Sequence, residues 1–423
     1  MNERLLQFIW RFQYFNQQEL LTTKGLPLRI LHPGFHNQNQ GPDFTNGRII
    51  LEDLQLAGTV ELHIKTSGWN AHGHTGDRHY TNVILHVVWE HNTEEPLGIP
   101  VLELRNRVPA SLLSLYNQFM SRPSAIPCAS QLQQVPDITW HSWKERMVTE
   151  RLLIRMEWAE QQLHRTNGNW EELFWRSLAR SFGMPLNADV FEAIAVSLPV
   201  TLLARHKHQI HQLEAMLLGQ AGLLEEKLED AYPVLLQKEY RFLQKKYQLQ
   251  PVKPLLHFLR MRPSAFPTIR LAQLAMLIYQ SSHLFSKIRE ADDVAALRGF
   301  FQVTANDFWH RHYTLTIESS FREKQVGRQM ANSLLINTVL PLLVFYAARN
   351  NDQPLQEKCM QWLMQLPKEK NAVTTFWEQA GVEHQNAFDS QALLQLKKAY
   401  CNELRCLSCA IGSAILRKTV FTS

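Results

Sequence analysis

The feature that most constrains this chain is a change in hydrophobic period. Between Leu26 and Leu104 apolar residues come in short runs that alternate with polar ones, whereas from about Ser111 onward they recur every three or four positions. A strand sends successive side chains to opposite faces, while a helix brings i, i+3 and i+4 onto one. The switch predicts an α+β protein: a small N-terminal α/β domain with a mixed sheet over residues 1–110, then a large, mostly α-helical region over 111–423. Residues 2–22 read as one or two short helices, from the spacing of Leu5, Ile9, Phe12 and Phe15. PLRILHPG reads as a short strand ending in a turn. Strand-like runs follow at Gly47–Glu52, Leu54–Lys65, Asn82–Glu90 and Pro100–Leu104, the first two joined as a hairpin around Glu52-Asp53. Amphipathic helices are expected over 138–165, 170–182, 187–198, 208–228, 232–246, 268–281 and 329–349, with RPSAFPT at 262–268 as a breaker.

Candidate chemistry concentrates in the strand AGTVELHIK. Alternation turns Val60, Leu62 and Ile64 toward a core and Glu61, His63 and Lys65 to the opposite, polar face. In NVILHVVWE the same rule opposes His86 to Val83, Leu85 and Val87. Gly41-Pro42-Asp43 stands at the start of the strand that pairs with Ala57–Lys65, so the hairpin is expected to bring Asp43 close to Glu61. Two carboxylates on neighbouring strands form a hard-oxygen site suited to Mg²⁺ or Mn²⁺. Such an ion lowers the pKa of a bound water and offsets charge in phosphoryl transfer. The loop Trp69–Tyr80 adds His72, His74 and Asp77, which with His86 are expected to contact substrate or support the metal; His72 and His74 with Asp77 are an alternative zinc set.

This layout resembles the PD-(D/E)XK nuclease superfamily, whose pattern is Pro-Asp at the start of one strand and Glu-x-Lys on the next. Pro42-Asp43 and Glu61 match it; His63 stands where the family has lysine, and Lys65 lies one step further along the same face. The resemblance implies a restriction-endonuclease-like fold over residues 1–105 and metal-dependent cleavage of DNA or RNA. Asp43 and Glu61 would hold Mg²⁺ or Mn²⁺, and His63 or Lys65 would orient water. The rival expectations are a nuclease-like core that binds nucleic acid or protein without catalysis, and a zinc-dependent hydrolase.

Near the C-terminus, YCNELRCLSCAIG places Cys401, Cys406 and Cys409 within nine residues. A C-x-x-C step can direct two thiolates at one ion, and Cys128 in IPCAS is the favoured fourth ligand over Cys359. Zinc and a 4Fe–4S cluster both suit four cysteines. Certain PD-(D/E)XK nucleases carry an iron–sulfur cluster whose ligands are similarly far apart in sequence, although here the lone cysteine follows the nuclease-like core.

In the helical region three patches mix basic and aromatic residues. These are Arg270 at a helix start, the cluster Asp307, Trp309, His310, Arg311, His312 and Tyr313, and the helix-borne set Arg322, Lys324 and Arg328. Such mixtures suit nucleic-acid backbones and stacked bases. The net charge of +5 permits a nucleic-acid partner without requiring one. The start of the chain lacks the pattern of a secretory signal, and the longest apolar candidate, Leu334–Ala348, carries Asn337 and Pro341 and reads as a buried helix. Five cysteines are too few for a disulfide scaffold. The expected location is the cytoplasm, with no membrane partner. Taken together, MNERLLQFIWRFQYFN, NQGPDF, VELHIKTSGW, HGH, NVILHVVWEHN, FPTIRLAQLA and CLSCAIG resemble one uncharacterised bacterial family, the domain of unknown function 2851 family, which implies membership but no activity.

Overall fold

A computed structural model describes residues 1–37, 40–75, 77–93, 98–121, 126–253, 255–259 and 261–421. The chain divides into two compact units. The first comprises Met1–Glu145, Thr375–Glu383 and Leu393–Ser423; the second comprises Arg146–Thr374 and His384–Ala392. Where the sequence places a boundary after residue 110, the structure keeps residues through 145 with the sheet and returns two C-terminal segments to it.

The first unit opens with helix α1, Glu3–Phe12, whose N-cap Asn2 accepts the Leu5 N–H at 2.9 Å. The second helix envisaged before residue 22 does not form: Gln13 adopts a left-handed conformation that ends α1. Strands β1 (Leu28–His32), β2 (Phe35–His36), β3 (Phe44–Leu51), β4 (Leu54–Lys65), β5 (Val83–Glu90) and β6 (Val101–Glu103) form one mixed sheet in the order β1-β3-β4-β5-β6, with β2 paired to β3. β1, β3 and β4 run antiparallel, and β4, β5 and β6 run parallel. The β3–β4 turn falls at Glu52-Asp53, with Glu52 at φ +54°. Between β4 and β5 the connection contains the short helix α2, Gly68–Ala71. Helix α1 packs against β4 and contributes Leu5, Leu6, Ile9 and Trp10 to the core. After β6 come helix α3, Ala110–Ser121, and helix α4, Asp137–Arg165, within which the unit boundary falls.

The second unit is helical; most expected stretches hold helices, but the one expected over 208–228 ends at Gln220, and Val200–Arg205, Leu284–Arg289, Val294–Gly299 and Gln353–Gln365 are helices outside those stretches. Trp170–Phe182, Ala188–Ser197, Ile210–Gln220, Ala231–Tyr247 and Pro267–Gln280 are each amphipathic or buried elements. The span Arg328–Arg349 is long and apolar enough to cross a membrane by length and composition, and 78% of its apolar window is buried inside the protein. A π-turn at Leu335–Val339 interrupts it, and the guanidinium of Arg155 donates to the Ile336 carbonyl there at 3.1 Å.

One expected patch is rearranged. Arg322 and Lys324 do not sit on a helix: the chain is irregular there, and the helix begins only at Arg328. Lys324 is buried, donating to the carbonyls of His310 (3.2 Å) and Arg322 (2.9 Å) and lying 4.0 Å from the Tyr313 ring centroid. Its charge is spent holding this segment together. Trp309 is likewise internal, donating to Glu214, and Arg270 is turned to Gln273.

Candidate metal centre

The centre is assembled on the face of β4 opposite Val60 and Leu62. Alternation puts Glu61 and His63 there, and the parallel register Glu61↔His86 adds His86 from β5. This face is not solvated: Glu61 is 6% exposed, His63 2% and His86 0%. The cover is the β4–β5 connection. Trp69 is buried against His86 and His74, with ring centroids 5.3 and 5.4 Å away, and its indole N–H donates to Thr75. Gly68 is required for this descent, because a Cβ there would lie 2.8 Å from the His63 ring. Gly73, at φ +71°, lets the chain reverse between His72 and His74 so that both imidazoles turn back to β4.

His63, His72 and His74 thereby offer ring nitrogens that all lie within 4.8 Å of one another. Nε2 of His63 is 3.3 Å from Nδ1 of His72. The Glu61 carboxylate lies 3.4 Å from Nε2 of His74 and 3.7 Å from Nε2 of His63. Nδ1 of His63 meets Nε2 of His86 at 2.9 Å. If His63 Nε2 presents a lone pair, its Nδ1 carries the proton and donates to His86, whose own Nδ1 then carries one. Nε2 of His74 is buried without a hydrogen-bond partner, while its ring is stacked on Tyr80 at 3.9 Å. His72 is exposed and marks the opening to solvent.

Asp43 adjoins this group from the start of β3. Its backbone N–H donates to Glu61 Oε2 at 3.0 Å, and its carboxylate accepts from Gln7 Nε2 (2.8 Å) and from the Leu62 N–H (3.1 Å). Burial pushes Asp43 up to about 6, against those two hydrogen bonds. Burial, followed by the charge of Asp43, pushes Glu61 up to about 8. Burial and the neighbouring imidazoles hold His63 down to about 3 and His86 to about 4, so both rings are neutral near pH 7. Neutral imidazole is the form that binds a metal.

The structure therefore groups Asp43, Glu61, His63, His72, His74 and His86, and leaves two expected members outside. Asp77 is turned away from His72 and His74; its carboxylate accepts from the His79 backbone N–H and contacts His79 Nδ1, both at 2.9 Å. Its position at the start of a 3₁₀ turn satisfies the amides there, which explains the departure. Lys65 is exposed at the end of β4, in register with Glu90.

Sequence reasoning missed Gln7 and the cleft it lines. Gln7, Arg4, Arg11, His36, Tyr116 and Arg405 border a cleft of about 670 Å³, with Glu403 also on its wall. The i, i+3, i+7 spacing of Arg4, Gln7 and Arg11 along α1 was the available signal. Among the cysteines, Cys128, Cys401, Cys406 and Cys409 all belong to the first unit, whereas Cys359 lies in the second, buried in the helix Gln353–Gln365.

No curated protein and no solved structure matched the chain. The family described as Protein of unknown function (DUF2851) matches residues 3–372, and the chain belongs to that family.

Proposed function

We propose that this protein is a divalent-metal-dependent phosphodiesterase acting on nucleic acid, with the metal held by His63, His72 and His74 and with Glu61 within reach as a further ligand. The observation that carries the reading is the convergence of three ring nitrogens within 4.8 Å beside one buried carboxylate. Nε2 of His74 is buried and makes no hydrogen bond, with Glu61 Oε1 at 3.4 Å, and a cation shared by the two would satisfy both. His63 Nε2 and His72 Nδ1 lie 3.3 Å apart, and the tautomer in which both present lone pairs would face a single ion. A nitrogen-rich set of this kind suits Zn²⁺ or Mn²⁺ better than Mg²⁺, which prefers oxygen alone. A bound ion would polarise a phosphoryl oxygen and lower the pKa of a bound water.

The chain's own groups have separable tasks. His86 fixes the His63 ring through the 2.9 Å contact, and Tyr80 fixes His74 by stacking. Asp43 holds Glu61 through its backbone N–H and is itself held by Gln7. Because Gln7 also lines the arginine-bordered cleft, an anionic chain lying on Arg4, Arg11 and Arg405 would run past the carboxylate pair. The Pro-Asp and acidic positions on adjacent antiparallel strands support kinship with PD-(D/E)XK nucleases.

The test is cleavage of labelled DNA and RNA oligonucleotides by chelator-treated protein supplied with Mn²⁺, Zn²⁺ or Mg²⁺. H72A and H74A should lose metal binding and cleavage together while keeping the fold. Cleavage that survives both substitutions sinks the assignment of the metal ligands. A second reading, binding without catalysis, draws on the exposed position of Lys65 and on His63 standing where a catalytic lysine is expected. Retained oligonucleotide binding with no cleavage in any of the three ions would favour it.

A further inference from the structure

Four thiols of the first unit are brought together by backbone devices that the candidate metal centre does not use. Cys128 precedes the 3₁₀ turn Ala129–Gln134, and the other three lie between 401 and 409. Cys128, Cys406 and Cys409 are each no more than 6% exposed. The helix Ala387–Leu396 ends in a π-turn, Lys397–Cys401, whose extra residue re-aims Cys401. Leu404 takes a positive φ of 49°, and the chain tightens into the 3₁₀ turn Cys406–Ser408 before the helix Ala410–Phe421. Gly412 makes that packing possible, since a Cβ there would sit 2.5 Å from the Cys406 carbonyl oxygen.

Burial, and the closeness of one sulfur to another, push the free thiols up, so a bound metal would have to displace their protons. Cys409 lies just ahead of the Ala410–Phe421 helix, so the first N–H groups of that helix bear on its sulfur and oppose the effect of burial. N–H donors at a helix N-terminus stabilise negative charge on sulfur. Cys401 is within electrostatic reach of Cys409, Cys128 and Cys406, and Cys128 of Cys409 and Cys406. Beside the group, Trp143 and Tyr400 meet edge to face at 5.3 Å, and Arg405 lies over Tyr400. Cys359 gives the internal contrast: its electrostatic neighbours are Lys358 and Asp352, and no sulfur is among them.

The spacing distinguishes the occupant. Four sulfurs bound to one tetrahedral zinc at about 2.3 Å would lie roughly 3.8 Å apart. Among the described residues no three thiols come within 4.8 Å of one another. A cubane cluster gives each thiolate its own iron and holds its ligands wider. We propose that Cys128, Cys401, Cys406 and Cys409 ligate a 4Fe–4S cluster, each thiol releasing its proton on binding. The cluster ties Cys128 to the C-terminal segment and orders Glu403, Leu404, Arg405, Leu407 and Ser408, which form one wall of the cleft.

The experiment is anaerobic purification of the full chain with iron, acid-labile sulfide and zinc analysis and visible spectroscopy, on wild type, C128S, C406S and C359S. Wild type should carry iron and sulfide in equal amounts, about four of each per chain, with absorption that bleaches on dithionite reduction. C128S and C406S should lose both, and C359S should keep both. Zinc without iron, a metal-free wild type, or iron lost equally from C359S overturns the proposal. Should C406S or C128S precipitate, the wild-type and C359S analyses still decide it. These readouts are independent of nuclease activity.

Discussion

Glu214 is a carboxyl group that the second unit stabilises only when it is neutral, and replacing it by glutamine should make the protein more stable at high pH alone. It sits in the helix Ile210–Gln220 and is 0% exposed. Oε2 accepts from the Tyr232 hydroxyl at 2.8 Å and from the Trp309 indole at 3.1 Å, while Oε1 has no hydrogen-bond partner. Burial outweighs the two hydrogen bonds and pushes the group up from 4.5 to about 7. The folded state therefore holds its proton more tightly than the unfolded chain, and the sign of the linkage follows. Below the unfolded value both states are protonated and nothing is lost. As pH rises from 4.5 to 7 the unfolded chain ionises first and stability falls; above 7 the loss is complete. Two and a half pH units at about 1.4 kcal/mol each correspond to roughly 3.5 kcal/mol. Glutamine keeps an oxygen for both donors and never ionises. E214Q should thus exceed the parent by about 2–3 kcal/mol more at pH 8 than at pH 5, read from urea midpoints at constant slope. A difference that does not vary with pH, or that shrinks toward pH 8, would refute the reasoning.

Replacing Arg4 and Arg11 together by alanine should weaken oligonucleotide binding and flatten its dependence on salt by about 1.5 logarithmic units per decade, because each lost phosphate contact removes a released counterion. An unchanged slope would remove the cleft from the binding path. G412A should cost about 1–3 kcal/mol, since the Cβ meets the Cys406 carbonyl oxygen at 2.5 Å and backbone must shift; a neutral result in urea unfolding would mean that this turn is loosely packed.

What the sequence determined by itself was local. The period of two in VELHIK put Glu61 and His63 on one face, and the turn residues Glu52-Asp53 joined β3 to β4 so that Asp43 came beside Glu61. The period near 3.6 located several helices of the second unit to within a few residues, such as Trp170–Phe182 and Ala231–Tyr247. Both are properties of neighbouring residues along the chain, which is why they were legible. Tertiary structure alone decided what covers each face. Nothing in the alternation reveals that Gly68 and Trp69 descend on His63 and make a polar face a buried one. Nor does spacing along the loop show that His72 and His74 join His63 while Asp77 turns to His79. Lys324 illustrates the same point: it reads as a cation for a partner, yet carbonyls supplied by His310 and Arg322 and the ring of Tyr313 bury it. Burial depends on which distant segment arrives, and that choice is made by the packing of the whole unit, because a side chain's solvent is defined only when its neighbours are in place.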